Sequence, residues 1–203
     1  MKIQFHQNWL KRSYLLIKEK YKEINNLDQL IGDGDHGSTI LRGLNTVVNN
    51  SQSINLENVE VYMSEISKLM RISMGGASGI LMTIFIKEVG YFNIRDPKNS
   101  LLSILKTTIE KIKKTGKVNE GDKSILDIYL PLNHKINEVD DFLNDDIFSL
   151  IDHFVEKTKN MKARVGRAKF LETRGLGVID PGAFSTSIML KEFFREIINE
   201  KNN

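Results

Sequence analysis

The chain reads as all-helical, a bundle of about eight helices, on three observations. Apolar residues recur at steps of three and four almost throughout. Alternation with period two is almost absent, and the periodic stretches end at Gly, Pro or Asn/Asp breakers. Over 203 residues no linker is long enough to divide the chain, so one domain spanning 1–203 with a proper core is expected.

Taken in order, a first helix is expected from about Phe5 to Ile24, with Trp9, Leu16, Ile17, Tyr21 and Ile24 inward. A second starts at His36 or Gly37 and carries Ile40, Leu44, Val47 and Val48 before the Asn49-Asn50-Ser51 breaker. A third, Asn58 to Ser73, places Val59, Met63, Ile66 and Met70 at helical spacing. Gly75 to Gly79 then precede a fourth helix that is apolar on most faces and therefore buried. The fifth opens after Pro97 with Ser100 as cap and stops at Gly116, with lysines at its end where cations suit the helix dipole. The sixth starts near Gly121 to Ser124, carries Ile125 through Val139 and is kinked or broken at Pro131. A seventh takes Ile147, Ile151, Phe154 and Met161, and the last follows Asp180-Pro181-Gly182 with Phe184, Ile188, Phe194 and Ile198 inward.

Composition narrows the class. There is no Cys, which removes disulfides, thiolate nucleophiles and soft-metal sites and fits a reducing compartment. The N-terminus lacks the apolar run of a signal peptide, and the longest apolar stretch, Ile80 to Ile86, is far short of a membrane span. A cytoplasmic protein is expected. The net charge of +3 comes from Lys and Arg spread along the chain, so neither nucleic acid nor a membrane is expected as a partner. His6, His134 and His153 have no partner at metal-ligand spacing and read as surface or core filler. No Ser or Cys is paired with a base for covalent acyl chemistry.

The chemistry concentrates in LDQLIGDGDHG. Asp28, Asp33 and Asp35 fall within eight residues, with Gly32, Gly34 and Gly37 between and after them. Glycine lets the backbone aim neighbouring side chains at one spot. Carboxylates so gathered repel one another unless a hard divalent cation sits among them. Mg2+ fits best, because it takes oxygen ligands and is commonly shared with substrate phosphates. The same glycines satisfy G-x-G-x-x-G, but no strand precedes them and the aspartates would press negative charge onto a pyrophosphate. An EF-hand begun at Asp33 would need Glu where Leu44 stands. An ordinary Asp/Gly turn is the plainer alternative.

Further loops share this character: Gly75 to Gly79, Gly116, Gly121-Asp122, Arg164 and Arg167 in KARVGRAKF, and Asp180-Pro181-Gly182. Taken singly these read as close packing, surface ion pairs or a cap. All sit at helix junctions, however, and a bundle can gather them at one end around a nucleotide, with phosphate at a helix N-terminus. No Walker sequence is present.

The motifs LDQLIGDGDHG, MGGASG, GDKSILDIYLP, ARVGRA and GVIDPGA, in this order, resemble the L subunits of dihydroxyacetone kinases over almost the whole chain. The resemblance implies a barrel of eight antiparallel helices holding ADP or ATP and two Mg2+ ions at one end. It implies Asp28, Asp33 and Asp35 as metal ligands and His36, Gly37, Ser38 and Thr39 as the phosphate-binding segment. It also implies that Ala77, Ser78, Gly116, Ile125, Arg167, Asp180, Pro181 and Gly182 line the nucleotide. A partner K subunit would carry dihydroxyacetone covalently on a His, and a phosphohistidine M subunit, fed from phosphoenolpyruvate, would rephosphorylate the bound ADP. No catalytic general base is expected on this chain. Fatty-acid kinase relatives with exchangeable ATP read DGDTG, where this chain has His36. Val165, Val178, Ile179 and Ile80 depart from the residues usual in the family. A nucleotide-loaded partner of a transcriptional regulator and self-association into a homodimer stay open as further roles.

Overall fold

The computed structural model describes residues 3–51, 53–54, 58–144, 146–173 and 175–202. Among them are eight α-helices and no strand: α1 (Ile3–Ile31), α2 (His36–Asn50), α3 (Val59–Met74), α4 (Gly76–Glu88), α5 (Pro97–Gly116), α6 (Leu126–Glu138), α7 (Asp146–Lys157) and α8 (Pro181–Asn202). Short 3-10 turns cover Val89–Tyr91, Thr158–Asn160 and Ala168–Phe170. Each helix packs on the next in chain order and α8 closes back on α1, so the eight form a ring.

The ring is filled by large side chains. Trp9, Phe85 and Phe193 meet at 5.1 to 6.1 Å between ring centroids, mostly edge to face, and Phe5, Phe92 and Tyr129 extend the cluster. Edge-to-face contact is the arrangement that aromatic quadrupoles favour. The indole N–H has a partner in the apolar interior, since Trp9 Nε1 donates to the Met189 carbonyl at 2.8 Å. His6 is likewise buried, with Nε2 3.0 Å from the Val89 carbonyl oxygen, as a core filler would be.

Several boundaries differ from the sequence expectation. The first helix does not stop at Ile24 but runs on to Ile31, so Asp28 stands on a helix rather than in a loop. Burial of Ile24 and Ile31 on one face outweighs the weak propensity of Asn25 and Asn26, as tertiary packing commonly does. Gly76 to Gly79 form the first turn of α4 instead of preceding it. Ser100 is no cap: α5 begins at Pro97 after Asp96, and the Ser100 hydroxyl donates back to the Asp96 carbonyl at 2.8 Å. Helix α6 starts at Leu126, later than expected, and is continuous through Pro131, because burial of Ile128, Leu132 and Ile136 holds it across the missing N–H. Val139 and Met161 fall just beyond the ends of α6 and α7, both in extended conformation.

A ring of alternating helices puts alternate junctions at opposite ends. The α1–α2, α3–α4, α5–α6 and α7–α8 connections therefore share one end. They differ greatly in length, from Gly75 alone between α3 and α4 to the segment 158–180 between α7 and α8.

Candidate functional site

Those four junctions enclose a cavity of about 680 Å³. From the α1–α2 side it is lined by Asp28, Asp33, Asp35, His36 and Thr39; from α3–α4 by Gly75, Gly76, Ala77 and Ser78. Thr115, Gly116, Lys123 and Ile125 contribute from α5–α6, and Arg167, Asp180, Pro181 and Gly182 from α7–α8.

The acidic corner is built by close approach. Asp28, in the last turn of α1, accepts the backbone N–H groups of Asp35 (3.0 Å) and His36 (3.2 Å) on one carboxylate oxygen, capping α2 from the neighbouring helix. Its other oxygen fills the space where a Cβ on Gly32 would lie, 2.3 Å away. Gly34 supplies the left-handed backbone, φ +77°, that turns the chain between Asp33 and Asp35. The result is that Asp28, Asp33 and Asp35 each present an oxygen within 4.8 Å of the others. Asp28 is half-buried and the other two are exposed. Three hard oxygen donors in this arrangement fit a divalent cation such as Mg2+.

Positive charge faces this corner. Arg167 Nη2 pairs with Asp33 Oδ2 at 2.7 Å, reaching from the α7–α8 segment across to the acidic loop. Arg164 pairs instead with Asp122, at 3.8 Å, and does not line the cavity. Three helix N-termini, those of α2, α4 and α8, open onto the same space, and each carries N–H groups without intrahelical partners and a partial positive charge. Gly75 (φ +69°) and Gly76 (φ +61°) leave the start of α4 bare, with nothing within 4 Å of either added Cβ.

The segment His36 to Thr39 divides by helical direction. His36 and Thr39 face the cavity. Gly37 and Ser38 do not line it: a Cβ on Gly37 would come 2.1 Å from the Tyr21 carbonyl, and Ser38 exchanges two hydrogen bonds with Asn25. Both positions lock α2 onto α1. The His36 ring is buried, Nε2 3.0 Å from Ser185 Oγ. Burial pushes its pKa below the ordinary value, against the pull of Asp28, Asp35 and Asp33.

The cavity is also lined by two residues that sequence reasoning did not single out. Lys123 is buried with a left-handed φ of 62°, and its ammonium donates to the Thr158 carbonyl at 2.6 Å and to the Val178 carbonyl, tying three segments together. Burial lowers its pKa, opposed by Asp180 and Asp127. Asp180 caps α8 by accepting the Ala183 N–H at 2.7 Å, and burial pushes its carboxyl up to about 7 despite that bond and Lys123. Asp127, also raised by burial, accepts the N–H groups of Gly121 and Ser124 and shapes the loop around Lys123. Arg42 is the second such residue; its place three after Thr39 on one helix face was the available signal. Leu81, Met82, Val118 and Ile125 give the cavity an apolar side.

No helix among the described residues is long and apolar enough to cross a membrane. The chain is 32% identical over 189 residues to the ADP-binding subunit DhaL of PEP-dependent dihydroxyacetone kinase 1 of Listeria innocua, covering 89% of this chain and 90% of that one. It is 28% identical to the DhaL subunit of Escherichia coli, over 91% and 92% of the two chains. In fold it resembles the dihydroxyacetone kinase of C. freundii in its native form (TM-score 0.70, 22% identity) and in complex with AMP-PNP and Mg2+ (TM-score 0.71, 22% identity). It covers 94% and 93% of this chain but only 34% and 33% of that enzyme. The DAK2 domain family matches residues 30–195, and the chain belongs to that family.

Proposed function

We propose that this chain is the adenine-nucleotide-binding subunit of a dihydroxyacetone kinase of the phosphoenolpyruvate-dependent kind. One observation carries the reading: three carboxylates converge at the rim of a cavity onto which three helix N-termini open. Carboxylates alone would repel a phosphate, and helix N-termini alone would repel a cation. Together they suit a metal–phosphate pair. Relatives that match over nine-tenths of their length, both ADP-binding subunits of dihydroxyacetone kinases, support the same assignment.

In this reading Asp28, Asp33 and Asp35 hold two Mg2+ ions, which when bound neutralise charge on the β- and γ-phosphates. The N–H groups at the start of α4, with Thr39, Ala77 and Ser78, orient the phosphates for in-line transfer. Arg167 adds a guanidinium from the α7–α8 segment. Gly116, Ile125 and the Asp180-Pro181-Gly182 turn, beside Leu81 and Val118, offer a surface for the base and sugar. His36, bonded to Ser185, lines the cavity beside the carboxylates. The γ-phosphoryl passes to dihydroxyacetone held on a partner K subunit, and ADP is rephosphorylated in place by a phosphohistidine M subunit. Matches to DhaL subunits over about nine-tenths of those chains support K and M subunits as partners.

Native mass spectrometry of the purified protein is expected to show ADP with two Mg2+. Retention of full phosphoryl transfer by Asp33→Asn in a reconstituted K, L and M assay would overturn the catalytic reading. Rapid exchange of labelled ADP with free ATP would replace the resident cofactor with an exchangeable substrate.

A further inference from the structure

Arg42 lies on α2 three residues after Thr39 and six after His36, on the cavity-facing side of the helix, and lines the cavity with them. Its Nε donates to the Ser73 carbonyl at 2.8 Å and its Nη2 to the Met74 carbonyl at 3.0 Å. These carbonyls end α3, immediately before the bare Gly75-Gly76 turn that opens α4. Two bonds from one planar group fix that plane, so the guanidinium is held between α2 and the start of α4.

A guanidinium has five N–H donors, and the two on Nη1 are not used by any described residue. No described carboxylate lies within ion-pair distance of Arg42, whereas Arg167 is paired with Asp33. Among the described residues its charge is met by the carbonyls that end α3 and by no carboxylate, on a wall where two helix N-termini add partial positive charge.

We infer that Arg42 recognises phosphate in this cavity, its free guanidinium edge contacting the terminal phosphate of a nucleoside diphosphate or triphosphate. The inference deepens the nucleotide-binding reading above and rests on it. Guanidinium matches phosphate in fork geometry, and charge-assisted bonds of this kind are the strong ones. A purely structural Arg42, capping the C-terminus of α3, would affect folding and every ligand alike.

The test is a calorimetric or competition series with adenosine, AMP and ADP, each with Mg2+, on wild type, Arg42→Met and Arg42→Lys, with thermal melts of the unliganded proteins. In Arg42→Met, adenosine affinity is expected to stay at the wild-type value. ADP should weaken about ten- to hundred-fold, and the preference for ADP over AMP should collapse. Arg42→Lys keeps the charge without the fork and should fall between. Parallel losses of adenosine and ADP, or wild-type ADP binding in Arg42→Met, would overturn the inference. If Arg42→Met does not fold, Arg42→Lys decides by the same ratio: a selective loss of ADP supports the role and wild-type ADP affinity overturns it. Wild-type protein that binds none of the three ligands removes the nucleotide reading, and this inference with it.

Discussion

The two halves of the ring are built on opposite rules. Its interior packs Trp9, Phe85 and Phe193 against one another with almost no exposure, while the junction end lines a cavity with four carboxylates, Arg42, Lys123 and Arg167. In the interior, position is set by volume; at the junction end it is set by hydrogen bonds and backbone shape. The difference teaches that the helices are held by one set of residues and the ligand by another. Changes at one end should leave the other largely intact.

The largest effect expected is on the interior. Trp9→Ala removes a fully buried ring and its hydrogen bond to Met189, and should cost about 3–5 kcal/mol in a denaturant titration. At the cavity, Asp28→Asn keeps an oxygen to cap α2 but loses the charge. Mg2+-dependent ADP affinity should fall about ten- to hundred-fold with little change in melting temperature. A large stability loss there instead would break the separation. Gly37→Ala tests the seam between the two regions: its Cβ would sit 2.1 Å from the Tyr21 carbonyl, so α2 must shift, at a cost of about 1–3 kcal/mol, and ADP affinity should fall along with stability.

The pH dependence sharpens the comparison further. The Asp180 carboxyl, raised by burial to about 7, still holds its proton between its ordinary value and 7, while the unfolded chain has released it. The unfolded state thus binds fewer protons in that window, so stability declines as pH rises through it and the loss is complete above 7. Asp180→Asn can still cap α8, and should flatten this slope in melts recorded in EDTA, the variant gaining on wild type toward pH 8. The smallest effect is expected on the outer surface, where Lys20→Ala breaks the exposed pair with Glu23 and should change stability by less than about 0.5 kcal/mol.

Much of this was legible in the chain. Period-three-and-four spacing marked the helices, and the Asp/Gly cluster marked the acidic corner, because those signals are local. The end of α1 was not, since Asn25 reads as a breaker until Ser38 arrives to bond it from another helix. Gly37 and Ser38 read as part of a phosphate loop, yet helical direction turns them toward α1. Lys123 and Arg42 gave little sign, because a buried ammonium between two carbonyls and a guanidinium fixed to the end of α3 are defined by partners 31 to 55 residues away.

The sequence by itself determined the helical class, the order of the helices and the donor atoms suited to magnesium and phosphate. Those follow from spacing and side-chain chemistry, which neighbouring residues carry without help. Only the tertiary structure decided which of these groups face one cavity and which lock helix to helix. That depends on closure of the ring, which brings four junctions distant in sequence to one end and assigns every side chain there a direction.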